Sequence, residues 1–226
     1  KAIAHDPEYA TAHSWLSEAY WAEWLGGWTV IADASFEKST QAAAKAVVLD
    51  DTDPQVRIQM GQLCLNRRQY DEARSHFDKV LLLNPNEPNG SMMYSYYSTC
   101  IGDSERAVAQ INEAIRVDPL GHYGYMAGMA HYTARNYDQA IAAFKIVRGE
   151  AQSGLAWLAA CHAQSGGLAE ARAAAAEFVA RATKAMADMS VPPPSSWRAF
   201  FAERHPYKHQ DDMDHLLDGL SKAGLE

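Results

Sequence analysis

MGQLCLNRRQYDEARSHFDKVLLLNP, residues 60–85, decides the fold once it is set above YSYYSTCIGDSERAVAQINEAIRVDP, residues 94–119. Ala73 then pairs with Ala107, Val80 with Ala114 and Pro85 with Pro119, each pair 34 residues apart. The match extends to residue size. Two helices that cross closely need small residues at the crossing, a large residue to fill the gap beside it and a proline to stop the second helix. Gly61, Tyr70, Ala73, Phe77 and Pro85 take these roles in turn. The template recurs with Gly102, Ala107 and Pro119, then with Tyr137, Ala140 and Phe144, and in weakened form with Gly166, Leu168, Ala171 and Phe178.

A period of 34 residues in helix-turn-helix units is that of the tetratricopeptide repeat. Each helix is amphipathic and too short to be stable alone, so each pair buries its apolar stripe against the next. The expected fold is all-α, a right-handed tetratricopeptide superhelix (α-solenoid) with a C-terminal helical cap. Ala107 to Ala140 is 33 residues and Ala140 to Ala171 is 31, so the later turns are tighter. The expected divisions are 1–9, the end of a truncated repeat; 10–53, a first full repeat with an insertion; 54–87; 88–120; 121–151; 152–185, a degenerate fifth repeat; 186–194, a Pro-rich linker; and 195–226, capping helices. KAIAHDP at the front reads as the last turn of a second helix whose partner is missing. With Lys1 in first place, the chain is expected to be a fragment of something longer.

The first full repeat departs from the template. HSWLSEAYWAEWLGGWTV, residues 13–30, holds Trp15, Trp21, Trp24 and Trp28, and the next matching alanine, Ala42 or Ala46, lies too far on for an ordinary repeat. The first helix should extend past Trp24, break at Gly26 and Gly27, and give way to a long second helix from about Ser35. Trp21, Trp24 and Trp28 step by three and four residues and share a face if the helix survives the glycines. Two roles are open to them: sealing the end of the solenoid, or lining a ligand pocket.

The chain has 226 residues, 48% of them hydrophobic, with a formal net charge of −8. It lacks the basic footprint of a phosphate-binding surface, so no direct nucleic-acid contact is expected. No apolar run approaches the roughly 20 residues that cross a bilayer, so no membrane insertion is expected. Cys64, Cys100 and Cys161 are odd in number, far apart and on first-helix positions, which suits small buried hydrophobes in a reducing compartment. The expected location is the cytoplasm, or the periplasm if a transmembrane helix precedes the segment. Asp211, Asp212 and Asp214 near His205, His209 and His215 form the one cluster with ligand chemistry. Their spacing matches no metal motif, and acidic residues at a helix start have an ordinary role on its dipole. No two-metal carboxylate site, glycine-rich phosphate loop or cofactor motif is present, so no enzyme activity, metal or cofactor is expected of this segment.

After the repeats, Pro192, Pro193 and Pro194 end the helical pattern. Ser195 or Ser196 can cap a helix carrying Trp197, Phe200 and Phe201. Asp211 or Asp212 can cap a last one carrying Met213, Leu216, Leu217 and Leu220. HPYKHQDDMDHLLDGLSKAGLE, residues 205–226, and DPEYATAHSWLSEAYW, residues 6–21, resemble a large bacterial group of tetratricopeptide proteins. In that group an aromatic-Pro-aromatic-Lys motif precedes a leucine-rich helix. His205 stands here in place of the first aromatic, Asp51 in place of a repeat proline, and the final proline is absent. Such regions follow class III adenylate/guanylate cyclase domains or winged-helix DNA-binding domains. The resemblance implies a regulatory or sensory module of a signalling protein, not the catalytic one.

First helices of the repeat line the concave surface. The register places Trp21, then Ile58, Gln62 and Asn66, then Met92 and Tyr96, then Tyr125, Met129 and Tyr132 on that face. Exposed, these nine would form an aromatic and thioether groove for a peptide or protein partner; turned inward, they are junction filler. Three functions remain: a protein-interaction module using this groove, a small-molecule sensor with a Trp-rich pocket near residues 21–28, or a spacer that forms a homodimer. An open groove favours a peptide. An enclosed pocket beside Trp21 and Trp28 favours a ligand.

Overall fold

A computed structural model describes residues 1–147 and 152–226, and all its regular structure there is helical. The short α1 (Ala2–His5) precedes five antiparallel pairs: α2 (Ala10–Gly26) with α3 (Ala32–Leu49), α4 (Pro54–Asn66) with α5 (Tyr70–Leu83), α6 (Pro88–Cys100) with α7 (Ser104–Val117), α8 (Gly124–Thr133) with α9 (Tyr137–Ile146), and α10 (Gln152–Gln164) with α11 (Leu168–Asp188). Then come α12 (Trp197–Arg204) and α13 (Gln210–Lys222). Successive pairs stack into an α-solenoid.

Local chemistry sets these bounds. Asp53 and Glu87 each cap the backbone N–H two residues on, and each is followed by a proline at the first helical position, where a missing N–H costs nothing. Within a pair, the turn passes through one residue in left-handed conformation: Arg68 at φ 60°, Gly102 at 79°, Arg135 at 63° and Gly166 at 90°. Their spacing follows the shortening period.

The crossings are packed as the template demands. Ala73, Ala107, Ala140 and Ala171 have no exposed surface. A Cβ on Gly61 would stand 2.7 Å from the Phe77 ring, and one on Gly128 2.5 Å from that of Phe144, so only glycine admits those rings. The α2–α3 crossing uses serines instead. Ser17 Oγ donates to the Ser39 carbonyl at 2.7 Å and Ser39 Oγ to that of Ser17 at 2.8 Å, both buried.

In the insertion, α2 ends at Gly26, and Gly27 turns the chain at φ 65°. The helix does not survive the glycine pair, so the three tryptophans do not share one helical face. Trp24 is buried against Phe36, while Trp15 and Trp28 remain about half exposed. α3 starts at Ala32, three residues before the expected Ser35, and α11 continues through Asp188, into the stretch read as linker.

Ser196 caps α12, its side chain accepting from Ala199 N–H. α13 begins a residue earlier than Asp211: His209 takes the cap position without a side-chain bond, and Asp211 and Asp212 lie in the first turn. α13 packs on α10, as a cap over the last pair would. The segment does more than cap, because it runs back along the concave side as far as α2.

Candidate functional site: a self-occupied concave face and a seam pocket

The C-terminal segment is held through its main chain and its side chains alike. The Tyr207 carbonyl accepts from Arg68 Nη1 at 2.9 Å and from the Tyr70 hydroxyl at 3.2 Å. Lys208 N–H donates to the Cys100 carbonyl at 2.7 Å. Farther on, the His215 carbonyl accepts from the Tyr132 hydroxyl and from Gln164 Nε2, both at 3.0 Å. These partners belong to four successive pairs, at the ends of their first helices, in the turns after them or, for Tyr70, at the start of the second helix. Side-chain contacts add to the series: Tyr207 Oη with Thr133 Oγ1 at 3.1 Å, Tyr137 Oη with His215 Nε2 at 2.9 Å, Gln164 Nε2 with Asp218 at 3.0 Å, Lys222 Nζ with Gln164 Oε1 at 3.2 Å, and Arg135 with Asp212 at 3.5 Å.

Arg68 and Arg135, the two non-glycine residues among the left-handed turn positions, are both partners of this segment. A side chain at positive φ costs free energy that glycine would avoid. Here each side chain is used. Sequence reasoning passed over both, because a turn arginine carries no periodic signal.

The nine groove positions therefore do not form an exposed strip. Ile58, Gln62, Tyr96, Met129 and Tyr132 are buried, and Trp21, Asn66, Met92 and Tyr125 are half-buried. For Tyr132 the cause is direct: its hydroxyl bonds α13, and its ring meets Trp157 edge-on at 5.3 Å and lies 5.1 Å from the His215 ring. Tyr96 lies among Cys100, Tyr125 and Tyr207, and burial raises its hydroxyl pKa well above the ordinary value. Asn66 Oδ1 accepts from Trp21 Nε1 at 2.8 Å, while Asn66 Nδ2 is buried without a partner among the described residues.

Where α12 meets the end of α2, a pocket of about 320 Å³ remains. Its walls come from Trp21, Leu25 and Trp28 on one side, Tyr125 and Met126 of α8 below, Met186 of α11, and Trp197, Phe200, Phe201, Arg204 and His205 of the C-terminal segment. Trp28 reaches it by folding back on Gly26, where a Cβ would stand 2.5 Å from the indole. Trp21 and Trp28 thus share a pocket without sharing a helix face.

Arg204, 6% exposed, closes the seam. Its Nε donates to the Trp24 carbonyl at 3.1 Å, in the last turn of α2, where the helix dipole favours a cation, and Nη1 pairs with Glu203 at 2.7 Å. The guanidinium lies over the Phe200 ring at 4.0 Å. Nothing periodic marks Arg204, so it too escaped the sequence reading.

The described residues offer no group of three or more His, Cys, Asp and Glu side chains that could hold a metal. Cys64, Cys100 and Cys161 are buried, and burial raises all three thiol pKa values, that of Cys161 to about 12, so they stay protonated and unreactive. No helix of the described residues is long and apolar enough to cross a membrane.

Comparison with known proteins agrees with this architecture. Residues 54–87 and residues 125–186 match two tetratricopeptide-repeat family models. No curated protein matches the sequence. Among solved structures, a thermophilic tetratricopeptide protein of Thermus thermophilus superposes with a TM-score of 0.60 at 17% identity, over 70% of this chain and 92% of that one. PilW, described as a widely conserved type IV pilus biogenesis factor, also gives 0.60, at 13% identity, over 95% of this chain and 89% of that one. PilF of Pseudomonas aeruginosa gives 0.55 at 14% identity, over 92% and 90%. At such identities the likeness is one of fold. Residues 54–87 and 125–186 are tetratricopeptide repeats, a protein-interaction architecture, and the fold is a tetratricopeptide α-solenoid.

Proposed function

We propose that this chain is a non-catalytic, regulatory protein-interaction module of a larger bacterial signalling protein, linked to a nucleotide cyclase or a winged-helix regulator, and that its concave face takes an extended peptide or protein segment. One observation carries the reading: residues 205–209, outside any helix, and the first turns of α13 already lie there as a bound segment would, with Arg68 and Tyr70 bonding the Tyr207 carbonyl and Tyr132 and Gln164 that of His215. Main-chain recognition tolerates many side chains, so a partner segment can take the place of the chain's own. Partner binding then competes with the C-terminal segment.

The test uses the full chain and a labelled peptide of residues 203–216. Tyr207→Ala loosens the internal segment, and the peptide should bind this variant saturably while the parent, already occupied, takes little. Failure of the peptide to bind either chain contradicts the reading. A gel-filtration shift to twice the mass in the variant would instead assign the face to a homodimer, by exchange of the segment between copies.

A second reading rests on the pocket. A site of this size beside Trp21 and Trp28, with apolar walls and few polar groups, has the build of a small-molecule site, so the module also serves as a sensor.

A further inference from the structure

The seam pocket holds a hydrogen-bonding position that the protein leaves open. His205 is 5% exposed, stacked on Phe201 at 5.4 Å and edge-on to Trp157 at 5.2 Å. Its Nδ1 lies 2.9 Å from the Phe201 carbonyl oxygen, which can only accept, so Nδ1 carries the proton. Burial, with a smaller contribution from the Arg204 cation, holds the ring pKa down at about 4. The ring is neutral at pH 7, and Nε2 presents a bare lone pair with no hydrogen-bond partner among the described residues.

The Trp21 indole N–H and the Arg204 cation that line the pocket are engaged. Trp21 Nε1 donates to Asn66, and Arg204 is matched by Glu203 and by the Trp24 carbonyl. The Tyr125 and Ser153 hydroxyls, also in the lining, are neutral. An anion would therefore lose its hydration against aromatic walls without gaining an unpaired cation, and a cation would meet Arg204. What His205 Nε2 lacks is a donor.

We infer that this pocket binds a neutral, mostly apolar small molecule, about the size of a fused bicyclic ring, that carries one hydroxyl or N–H for His205 Nε2. The assignment rests on the sensor reading above. The apolar body fills the space between Trp21, Trp28 and Phe200. The donor pairs an acceptor that has no protein partner, and such an acceptor discriminates against analogues lacking the donor.

The test titrates naphthalene, 1-naphthol and 1-naphthoate, which share one ring system, into the full chain and into His205→Phe. That variant keeps a ring for the Phe201 and Trp157 contacts. Calorimetry should show 1-naphthol binding about tenfold tighter than naphthalene to the parent, from the one added hydrogen bond, and 1-naphthoate binding most weakly. In His205→Phe the two neutral probes should bind alike. A measurement on the parent alone guards against a variant that fails to fold: the 15N resonance of His205 Nε2 should move upfield with 1-naphthol and stay in place with naphthalene. Equal affinity of naphthol and naphthalene for the parent, or tightest binding of the naphthoate, overturns the ligand class and leaves the sensor reading standing. Absence of saturable binding by all three overturns both.

Discussion

Gly219 makes a prediction in which two opposed effects must be weighed. It lies inside α13, three residues before its end, where replacement by alanine ordinarily stabilises a helix by about 0.5–1 kcal/mol, because glycine loses more backbone entropy on folding. Here a Cβ would stand 2.8 Å from the Tyr132 hydroxyl and 3.1 Å from Ala160 Cβ. The hydroxyl cannot move aside freely, since it donates to the His215 carbonyl one turn earlier in α13, and Ala160 is part of α10 itself. Relief requires α13 to lift off α10, and overpacking of this kind costs about 1–3 kcal/mol. The clash outweighs the propensity gain. Gly219→Ala should destabilise by about 1–2 kcal/mol net, a melting shift of about 2–8 °C downward for a chain of this size. Gly154→Ala is the control: it is helical too, but its nearest neighbour to a new Cβ stands at 3.9 Å. It should gain about 0.5–1 kcal/mol. Thermal melts read both, with hydrogen exchange to locate the loosening in α13. If Gly219→Ala melts above the parent, as Gly154→Ala should, then α13 does not pack on α10 as described.

Three further outcomes are expected. Ala107→Trp should destabilise by at least about 1–3 kcal/mol, because an indole cannot fit a fully buried helix crossing, while Glu87→Ala, at a half-buried helix start, should lose only its capping bond, about 0.5–2 kcal/mol; equal melts for the two would show the repeat register to be wrong. His205 has a folded pKa of about 4 against an ordinary 6.5, so the unfolded chain binds the extra proton between those values and stability must fall as pH drops through that window. The loss from this group is about 3 kcal/mol by pH 4, and His205→Phe should remove that share of the fall while the share from His215, also held down at about 4, remains; an unchanged profile would mean that His205 is not buried as a neutral ring. Arg68→Gly, by contrast, removes the strain of a left-handed side chain but also the bond to Tyr207, so the melt should change by less than about 1 kcal/mol while the exchange protection of residues 205–209 falls; protection equal to the parent's would deny Arg68 its role.

The repeat core was legible because its signal is local and periodic. Small residues recur at the crossings, large ones beside them and prolines after them, and Ala73, Phe77 and Ala107 lie where that pattern requires. The concave face was less legible, for a physical reason. The first helix of a repeat shows the same spacing whether its inner face meets solvent or protein, so Tyr96, Met129 and Tyr132 read as a groove although they are covered. What covers them is set by contacts across long stretches of chain: Tyr207 bonds Arg68 and Thr133, and Arg204 bonds the Trp24 carbonyl. Such pairings leave no mark in local periodicity. The seam pocket was half legible. Trp21 and Trp28 were singled out, but they meet there through a broken helix and an indole folded onto Gly26, and the opposite wall comes from a segment expected only over the last repeat.

Occupation of the concave face by the C-terminal segment is tested most directly by the exchange rate of one amide. Lys208 lies outside any helix, and its N–H reaches only the Cys100 carbonyl, at 2.7 Å, across the face. In a docked segment this amide exchanges only when the segment opens, and in a free tail it exchanges at the rate of an unstructured peptide. Exchange measured residue by residue at neutral pH should find Lys208 slowed by about a hundredfold or more, the protection that an opening free energy of about 3 kcal/mol gives. Exchange of Lys208 at the unstructured rate, with the amides of α4 to α11 still protected, would show the concave face to be open and would contradict the account.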